Sequence, residues 1–323
     1  MRPVSSPQEA AFALAAGHLS ALPTETVYGL GARADDPHAI AKIYAAKGRP
    51  ADHPLIAHLA TADAMKSWGI DIPEYAYQLS DVFWPGPLTL VIQRSQKAGD
   101  FITGGQDSVA VRVSAHPLMQ EVLQLLVELT GDSSIAIAAP SANRFGKVSP
   151  TTAKHVLEEL HDFTTEDDVV IDGGQCSVGI ESTIVDCTSD HPRLLRPGAI
   201  SVEQIEDVTG MKCTTDSQVR ASGTLESHYS PVAHVEIVEP TALLKYVFGT
   251  ESIGLIALAE HPTPAGMVRL CSPVSSEEYA QQLYAALREA DARQLSKVLA
   301  VAPPMGGIGA AIRDRLTRAA NPK

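Results

Sequence analysis

Aromatic and basic residues are both scarce in this chain of 323 residues. Phe, Trp and Tyr make up 5% of it, and 25 Lys and Arg face 38 Asp and Glu, which gives a formal net charge of −13. Broad binding of nucleic acid needs a positive face and rings on which bases stack. The composition therefore argues against an extended nucleic-acid surface, but it is compatible with a local basic pocket for a small anion.

Cysteine pairs and long apolar runs are missing as well. The four cysteines form no Cys-x-x-Cys pair and no spacing typical of a metal site: Cys176, Cys187, Cys213 and Cys271. We expect them to be small apolar fillers in a reduced, cytoplasmic protein. The apolar stretch before Leu22 is short and contains Glu9, so we expect neither a membrane span nor a secretory signal.

Common catalytic motifs are absent too. The sequence has no His-x-His or His-Glu-x-x-His spacing for a metal and no Gly-x-Ser-x-Gly elbow of a serine hydrolase. The glycine-rich turn at 306–309 has Ile312 where a dinucleotide-binding loop would have its third glycine. We therefore interpret it as a tight turn between a strand and a helix.

A chain of this length favours two domains. Up to residue 209, strands and helices alternate irregularly, which predicts an α/β domain with a twisted mixed sheet and helices. Residues 210–231 are rich in Thr, Ser and Gly and indicate a linker. The regular alternation in residues 232–323 predicts a smaller C-terminal α/β domain with a Rossmann-like parallel sheet.

Local signals predict several elements. Asp36 caps a helix with Pro37 at its first position, and Ser201 with Gln204 forms a capping box. Residues 117–129 predict an amphipathic helix with this apolar stripe: Leu118, Val122, Leu125 and Leu129. In the second domain we expect strands at 235–238, 253–258 and 297–302, helices at 241–248 and 277–290, and a last helix after the glycine-rich turn.

Four cations stand out against these elements. Lys47 and Arg49 flank a glycine at a helix exit, where they would either converge on one anion or lie at a solvated helix end. Arg112 lies in an apolar strand, so it needs an ion-pair partner, a ligand or a solvated face. Arg196 fits a binding role and an ordinary position at the end of a strand equally well.

Residues with hydroxyl, amide and imidazole groups are the other candidates for ligand binding. Ser141 and Asn143 follow a strand in an Ala-Pro-Ser-Ala-Asn turn, which is also ordinary turn chemistry. Ser182 lies near a strand start in a Gly-Ile-Glu-Ser-Thr segment. His53 and His58 bracket an apolar run, where a histidine is usually part of the core.

Eight motifs carry a resemblance to a known family. They occur in this order: Pro23-Thr-Glu-Thr-Val-Tyr-Gly-Leu-Gly31, Lys47-Gly-Arg49-Pro, His53-Pro-Leu, Val109-Ala-Val-Arg112, Ala139-Pro-Ser-Ala-Asn143, Ser149-Pro-Thr, Gly179-Ile-Glu-Ser-Thr183 and Leu195-Arg-Pro-Gly198. Over residues 7–208 the sequence closely resembles the threonylcarbamoyl-AMP synthases of the YrdC-like family. The linker and second domain resemble the long, two-domain form, with Ser230 in place of the alanine of the usual His-Tyr-Ala-Pro.

The resemblance implies a nucleotidyltransferase that converts L-threonine, bicarbonate or CO2, and ATP to threonylcarbamoyl-AMP and pyrophosphate. Other proteins then transfer the threonylcarbamoyl group to an adenosine of certain tRNAs, so this chain requires no stable tRNA binding. The carbamate of threonine is itself an anionic nucleophile, so the site has to supply positioning and charge stabilisation at the phosphates. Mg2+ is expected as the cofactor, bound with ATP and held mainly by its phosphates.

The resemblance also implies roles for individual residues. Lys47 and Arg49 are the expected catalytic groups. The L-threonine side is expected to consist of Thr26, His58, Arg112, Ala139 and Ser182, with Arg112 against the carboxylate. The ATP side is expected to consist of Lys47, Arg49, His53, Ser108, Ser141, Asn143, Ser149, Arg196 and Tyr229. Tyr229, with His228 as a second candidate, is expected to close over the pocket as a lid that excludes water.

Two other functions compete with this one. The first is an RNA-binding module without adenylate-forming activity, because the expected concave sheet could hold double-stranded nucleic acid; the charge and the few aromatics argue against it. The second is a carbamoyl-adenylate-forming domain of the kind used in hydrogenase maturation. Such domains normally occur in longer chains with acylphosphatase-like and zinc-finger-like parts.

Overall fold

The N-terminal domain is built on one sheet of ten strands. The structure, a computed structural model, describes residues 1–223, 229–243 and 252–321. The strands are β1 (Arg2–Val4), β2 (Ser20–Leu22), β3 (Gly29–Arg33), β4 (Ile56–Leu59), β5 (Leu88–Gln93), β6 (Ser108–Arg112), β7 (Ala136–Ala138), β8 (Val169–Ile171), β9 (Thr183–Asp186) and β10 (Arg193–Arg196). Their order in the sheet is β1-β8-β2-β3-β7-β4-β6-β5-β9-β10.

This sheet is mixed, as predicted. Strands β4 and β6 run parallel with His58 opposite Arg112, whereas β5 and β6 are antiparallel. Strand β7, which leads into the Ala-Pro-Ser-Ala-Asn turn, lies between β3 and β4. Strands that are far apart in sequence are therefore neighbours in the middle of the sheet, and the turns at their ends come together.

Eight α-helices belong to this domain. They are α1 (Pro7–Ala15), α2 (Pro37–Lys47), α3 (Met65–Trp68), α4 (Glu74–Phe83), α5 (Asp100–Thr103), α6 (Pro117–Thr130), α7 (Ala153–Leu160) and α8 (Val202–Thr209). The predicted caps are present: the carboxylate of Asp36 accepts hydrogen bonds from two amides of α2, and Ser201 forms the capping box of α8 with Gln204. Such caps satisfy amides that a first helical turn leaves without partners, and each contributes about 1 kcal/mol.

The buried stripe of α6 differs from the predicted one. The residues that α6 buries are Met119, Val122, Leu123 and Leu126. Leu129 is 45% exposed. Both sets repeat at helical spacing and share Val122, so periodicity does not distinguish them. The face that becomes buried is the one that packs with apolar residues of α1, such as Leu14.

The C-terminal domain has the predicted parallel sheet and one additional strand. Its strands are β11 (His234–Ile237), β12 (Ile253–Ile256), β13 (Val268–Cys271) and β14 (Lys297–Ala300), in the order β11-β14-β12-β13. The sequence does not predict β13, because Arg269 interrupts its apolar run and all four of its residues are only partly buried. Helix α9 (Pro240–Leu243) begins the helix predicted at 241–248, and residues 244–248 lie outside the described ranges.

Two long helices, α10 (Ser276–Ala292) and α11 (Gly309–Ala320), pack on this sheet. The glycine-rich turn leads into α11, as expected for a turn between a strand and a helix. The apolar residues of both helices form one buried cluster with Val27, Val148 and Ile180 of the N-terminal domain. The two domains therefore share a core. None of the helices in the described ranges has the length and apolar content needed to cross a membrane.

Candidate active site

A pocket of about 580 Å³, its open mouth included, lies where the turns of the N-terminal domain meet the linker. Most residues expected at the site line it: Thr26, Lys47, Arg49, His58, Arg112, Ala139, Ser141, Asn143, Ser182, Arg196 and Tyr229. The structure thus brings together side chains from motifs spread over 200 positions of the sequence.

Three expected residues lie outside the lining of this pocket. The ring of His53 packs edge-on against Phe145, with 5.2 Å between the centroids. Ser108 lines a smaller neighbouring pocket. The hydroxyl of Ser149 donates a hydrogen bond to the carboxylate of Glu181 at 2.6 Å, so it lies behind the wall that Glu181 forms. His228 is outside the described residues.

The Pro-Thr-Glu-Thr turn is held by Thr24, which sequence reasoning did not single out. Its hydroxyl accepts hydrogen bonds from the amides of Thr26 and Val27, each at 3.1 Å, and donates to the carbonyl of Val27 at 2.6 Å. These bonds fix Thr26 at the pocket wall. The hydroxyl oxygen of Thr26 accepts a hydrogen bond from Arg112 at 2.9 Å.

Arg112 has a counter-ion within the protein, Glu25. Its Nη2 lies 2.7 Å from Oε1 of Glu25, and its Nε donates to the carbonyl of Gly86 at 3.1 Å. Burial alone would raise the pKa of Glu25, but Arg112 and a hydrogen bond from Ser114 lower it to about 2. The charge of Arg112 is therefore shared with a carboxylate. Sequence reasoning missed Glu25 as a partner, although it stands inside a quoted motif.

His58 lies beside this ion pair on the neighbouring strand. Burial is the main cause that lowers its pKa to about 3, and the charge of Arg112 contributes. The imidazole is therefore neutral near pH 7. In this form it can offer one donor and one acceptor to a polar ligand without adding charge.

Lys47, the last residue of α2, is anchored by the turn after β7. Its Nζ donates to the carbonyls of Ser141 and Asn143, each at 2.5 Å, which leaves its third N–H for another acceptor. Gly48 has a left-handed backbone with φ of +60°, and a Cβ there would lie 2.8 Å from Arg144. The left-handed backbone of the turn thus favours glycine between the two cations.

Arg49 and Arg196 connect the pocket to the linker. Arg49 donates to the carbonyl of Pro54 at 2.9 Å and reaches the hydroxyl of Ser222 at 3.5 Å. Arg196 donates through Nε and Nη2 to the carbonyl of Ser182, at 3.0 and 2.9 Å, and through Nη1 to the carbonyl of Ser222 at 2.8 Å. Ser222 was not predicted, because nothing distinguishes it from the other small polar residues of the linker.

Lys47, Arg49 and Arg196 together make the pocket strongly positive. The oxygens that they contact are neutral, and no carboxylate in the described ranges forms an ion pair with them. Burial lowers the pKa of each group, that of Arg49 to about 10, and neighbouring cations add to the effect. Buried charges without counter-ions are unfavourable unless an anion binds, so the pocket is suited to a polyanion.

Comparison with known proteins shows the family to which the chain belongs. Residues 13–198 match a family model described as telomere recombination (Sua5, YciO and YrdC), and residues 200–321 match the C-terminal domain of threonylcarbamoyl-AMP synthase. The threonylcarbamoyl-AMP synthase of Pyrococcus abyssi is 40% identical over 94% of this chain and 90% of its own length. That of Bacillus subtilis is 38% identical over 97% and 92%. The chain belongs to the threonylcarbamoyl-AMP synthase family.

Solved structures confirm the expected fold. The crystal structure of P. abyssi Sua5 complexed with L-threonine matches with a TM-score of 0.86 at 38% identity, over 97% of this chain and 94% of that one. Escherichia coli YciO, at 19% identity and a TM-score of 0.53, shares the fold over 62% of this chain. As a member of the threonylcarbamoyl-AMP synthase family, the protein is an enzyme, and both of its domains have counterparts in full-length relatives.

Proposed function

We propose that this protein makes threonylcarbamoyl-AMP from L-threonine, bicarbonate or CO2, and ATP, with release of pyrophosphate. The observation that carries the proposal is the group of three buried cations with neutral partners: Lys47, Arg49 and Arg196. They suit the triphosphate of ATP and, after the reaction, pyrophosphate. Because these charges are buried in a pocket and not spread over an exposed face, they suit a small polyanion better than RNA.

The reaction needs no nucleophile from the protein. The amine of threonine adds to CO2 and loses a proton, which gives a carbamate. A carbamate oxygen attacks the α-phosphorus of ATP while the bond to pyrophosphate breaks, so AMP is transferred to oxygen and the enzyme acts as a nucleotidyltransferase. Lys47 and Arg49 stabilise the negative charge that develops on the leaving pyrophosphate, and Arg196 holds the phosphates from the linker side.

Threonine lies between β6 and the Pro-Thr-Glu-Thr turn. Its carboxylate approaches Arg112, whose charge it shares with Glu25. The remaining groups on this side are Thr26, His58, Ala139 and Ser182. The complex of P. abyssi Sua5 with L-threonine supports threonine as a substrate of this protein.

ATP lies against the turn after β7, next to Ser141 and Asn143. His53 and Ser149 act there indirectly, through Phe145 and Glu181. Mg2+ enters as the complex with ATP, because phosphate and water oxygens are its preferred ligands. Among the described residues that line the pocket, Glu181 provides the carboxylate, and both of its oxygens already accept hydrogen bonds from the protein. The phosphates of ATP are therefore the expected ligands of the metal ion.

The product is a mixed anhydride that water would hydrolyse. Ser222, Gly223 and Tyr229 of the linker line the pocket and act as its lid. Proteins that transfer the threonylcarbamoyl group to tRNA in the cytoplasm then take up the product.

Release of pyrophosphate tests this function. Purified protein with ATP and Mg2+ should release pyrophosphate when L-threonine and bicarbonate are both present, and L-serine should be a much poorer substrate. Lys47→Met should slow release by about 100-fold or more, the scale for losing one preorganised donor in a charged site. Lys42→Met is the matched control, because Lys42 is exposed on the same helix, lies outside the lining of the pocket and donates a hydrogen bond to the carbonyl of Gly17. Release without threonine, or none from folded protein, would contradict the proposal.

A further inference from the structure

Glu181 links the pocket wall to the C-terminal domain. Its Oε1 accepts a hydrogen bond from Ser149 at 2.6 Å, and its Oε2 accepts from the hydroxyl of Tyr284 at 2.8 Å and from Nε of Arg315 at 2.9 Å. Tyr284 belongs to α10 and Arg315 to α11, and both are buried. Burial alone would raise the pKa of Glu181, but Arg315 and Arg196 help to lower it to about 2. The interface between the domains therefore contains an ionised pair.

The same two side chains hold the ring of Tyr229. It stacks on Tyr284 with 5.5 Å between the centroids and 27° between the planes, and Cζ of Arg315 lies 5.3 Å from its centroid. The backbone of Tyr229 has a φ of +59°, a left-handed conformation that is unfavourable for a residue with a Cβ. Such a conformation persists only where the surroundings hold it. Here Tyr284 and Arg315 of the C-terminal domain are part of these surroundings.

The hydroxyl of Tyr229 and the guanidinium of Arg196 both lie next to Gly223 of the linker. A Cβ on Gly223 would lie 2.4 Å from the hydroxyl of Tyr229 and 2.9 Å from Nη1 of Arg196. Arg315 also donates to the carbonyl of Pro197 at 3.0 Å. The ring, Gly223 and Arg196 are thus packed as one group, and Arg315 supports that group from behind.

We propose that Arg315 and Tyr284 are positioning residues of the active site, through which the C-terminal domain holds Tyr229 over the pocket. The proposal rests on the proposed function. Neither residue lines the pocket, so their effect is indirect. Loss of the support should free the linker, weaken the hold on ATP and admit water to the product.

A second contact between the domains provides a matched control. Arg288 of α10 pairs with Glu159 at 3.2 Å and donates to the carbonyl of Val148 at 2.5 Å. It docks the same helix onto the N-terminal domain through groups other than Glu181 and Tyr229. Arg288→Met therefore removes a comparable interface cation and leaves the support of the ring in place.

A double-mutant cycle tests the coupling. The KM for ATP and kcat of pyrophosphate release are measured for Arg315→Met, Tyr229→Ala, their combination and Arg288→Met. We expect Arg315→Met to raise the KM for ATP by about tenfold or more, and Arg288→Met to change it by less than about twofold. In the Tyr229→Ala background, Arg315→Met should raise the KM for ATP much less than in the wild type, because the ring that Arg315 supports is already gone and only the loss of the counter-ion of Glu181 remains. Effects that multiply, or an Arg288→Met defect as large as that of Arg315→Met, would overturn the proposal.

Cleavage by chymotrypsin after Tyr229, followed by mass spectrometry, gives a readout that does not depend on turnover. The bond should be protected in the wild type and in Arg288→Met, and it should be cut about tenfold faster in Arg315→Met. If Arg315→Met does not fold, Arg315→Lys replaces it, because lysine keeps the charge beside Glu181 but lacks the planar group over the ring. Equal cleavage in all folded variants would refute the support of Tyr229. If the wild type releases no pyrophosphate, the proposed function fails, and cleavage still decides whether Arg315 holds Tyr229.

Discussion

Replacing Arg112 by methionine removes a cation with two separable roles. Its side chain is 4% exposed and pairs with Glu25, which is 9% exposed. Without Arg112, the buried carboxylate keeps its hydrogen bond from Ser114 but loses its counter-ion. Breaking a buried pair by removing one partner typically lowers the free energy of unfolding by about 3–5 kcal/mol. We therefore expect Arg112→Met to be clearly less stable than the wild type.

Threonine binding should suffer for a different reason. Arg112→Met removes the charged partner of the threonine carboxylate, which should weaken binding by on the order of 2–4 kcal/mol, or roughly 30- to 900-fold. The double variant Glu25→Gln/Arg112→Met has neither buried charge. It should recover most of the lost stability but not the affinity for threonine.

Two measurements on the three proteins separate these roles. Urea unfolding at pH 7 is followed by the fluorescence of Trp68 and Trp84, the two tryptophans of the chain, which both lie in the domain that contains Arg112. Calorimetric titration with L-threonine gives the affinity. If the double variant bound threonine with wild-type affinity, Arg112 would be refuted as the group that binds the threonine carboxylate. A double variant as unstable as Arg112→Met would refute the unpaired carboxylate as the cause of instability.

Two further predictions concern pH and packing. The pKa of His58 is about 3 in the folded protein and 6.5 when unperturbed, so the unfolded chain binds more protons between these values. The free energy of unfolding should fall as the pH falls from 6.5, with His58 contributing up to about 1.4 kcal/mol per pH unit. His58→Gln should remove this contribution to the pH dependence, which urea unfolding at pH 6.5 and 4.5 measures. An unchanged pH dependence in the variant would exclude His58 as its source. Gly179→Ala should lower Tm more than Gly174→Ala. Both glycines have a left-handed φ, +82° at Gly179 and +77° at Gly174. A Cβ at Gly179 would lie 2.3 Å from Cα of Gln281 in α10, whereas a Cβ at Gly174 would have no neighbour within 4 Å. Equal decreases of Tm in the two variants would contradict this packing argument.

The parts of the fold that could be predicted from sequence are those set by near neighbours. The capping box of Ser201 and Gln204 joins residues three positions apart, and it forms as expected. The stripe of α6 was wrong because two stripes fit the same periodicity, and only packing against α1 decides between them. Strand β13 was not recognised because Arg269 interrupts its apolar run.

The candidate site shows the same limit. The family motifs indicate which residues belong together, and most of these line one pocket. They do not indicate what holds each residue. Glu181 and Arg315 are 134 positions apart and meet because α11 packs behind a loop of the other domain. No spacing rule reports such a contact, because it depends on how the two domains dock.

Two carboxylates determine where the pocket offers free positive charge. Glu25 neutralises Arg112 on the threonine side, and Glu181 neutralises Arg315 behind the linker. Three lining cations have no such partner among the described residues: Lys47, Arg49 and Arg196. The side proposed for a single carboxylate thus has a shared arginine. The side proposed for a triphosphate has three cations, whose charge Glu181 offsets only in part, because it pairs with Arg315. A chain with a net charge of −13 can therefore bind a polyanion, because surface charges are screened within about 10 Å at ordinary salt, whereas buried charges at the site are screened much less.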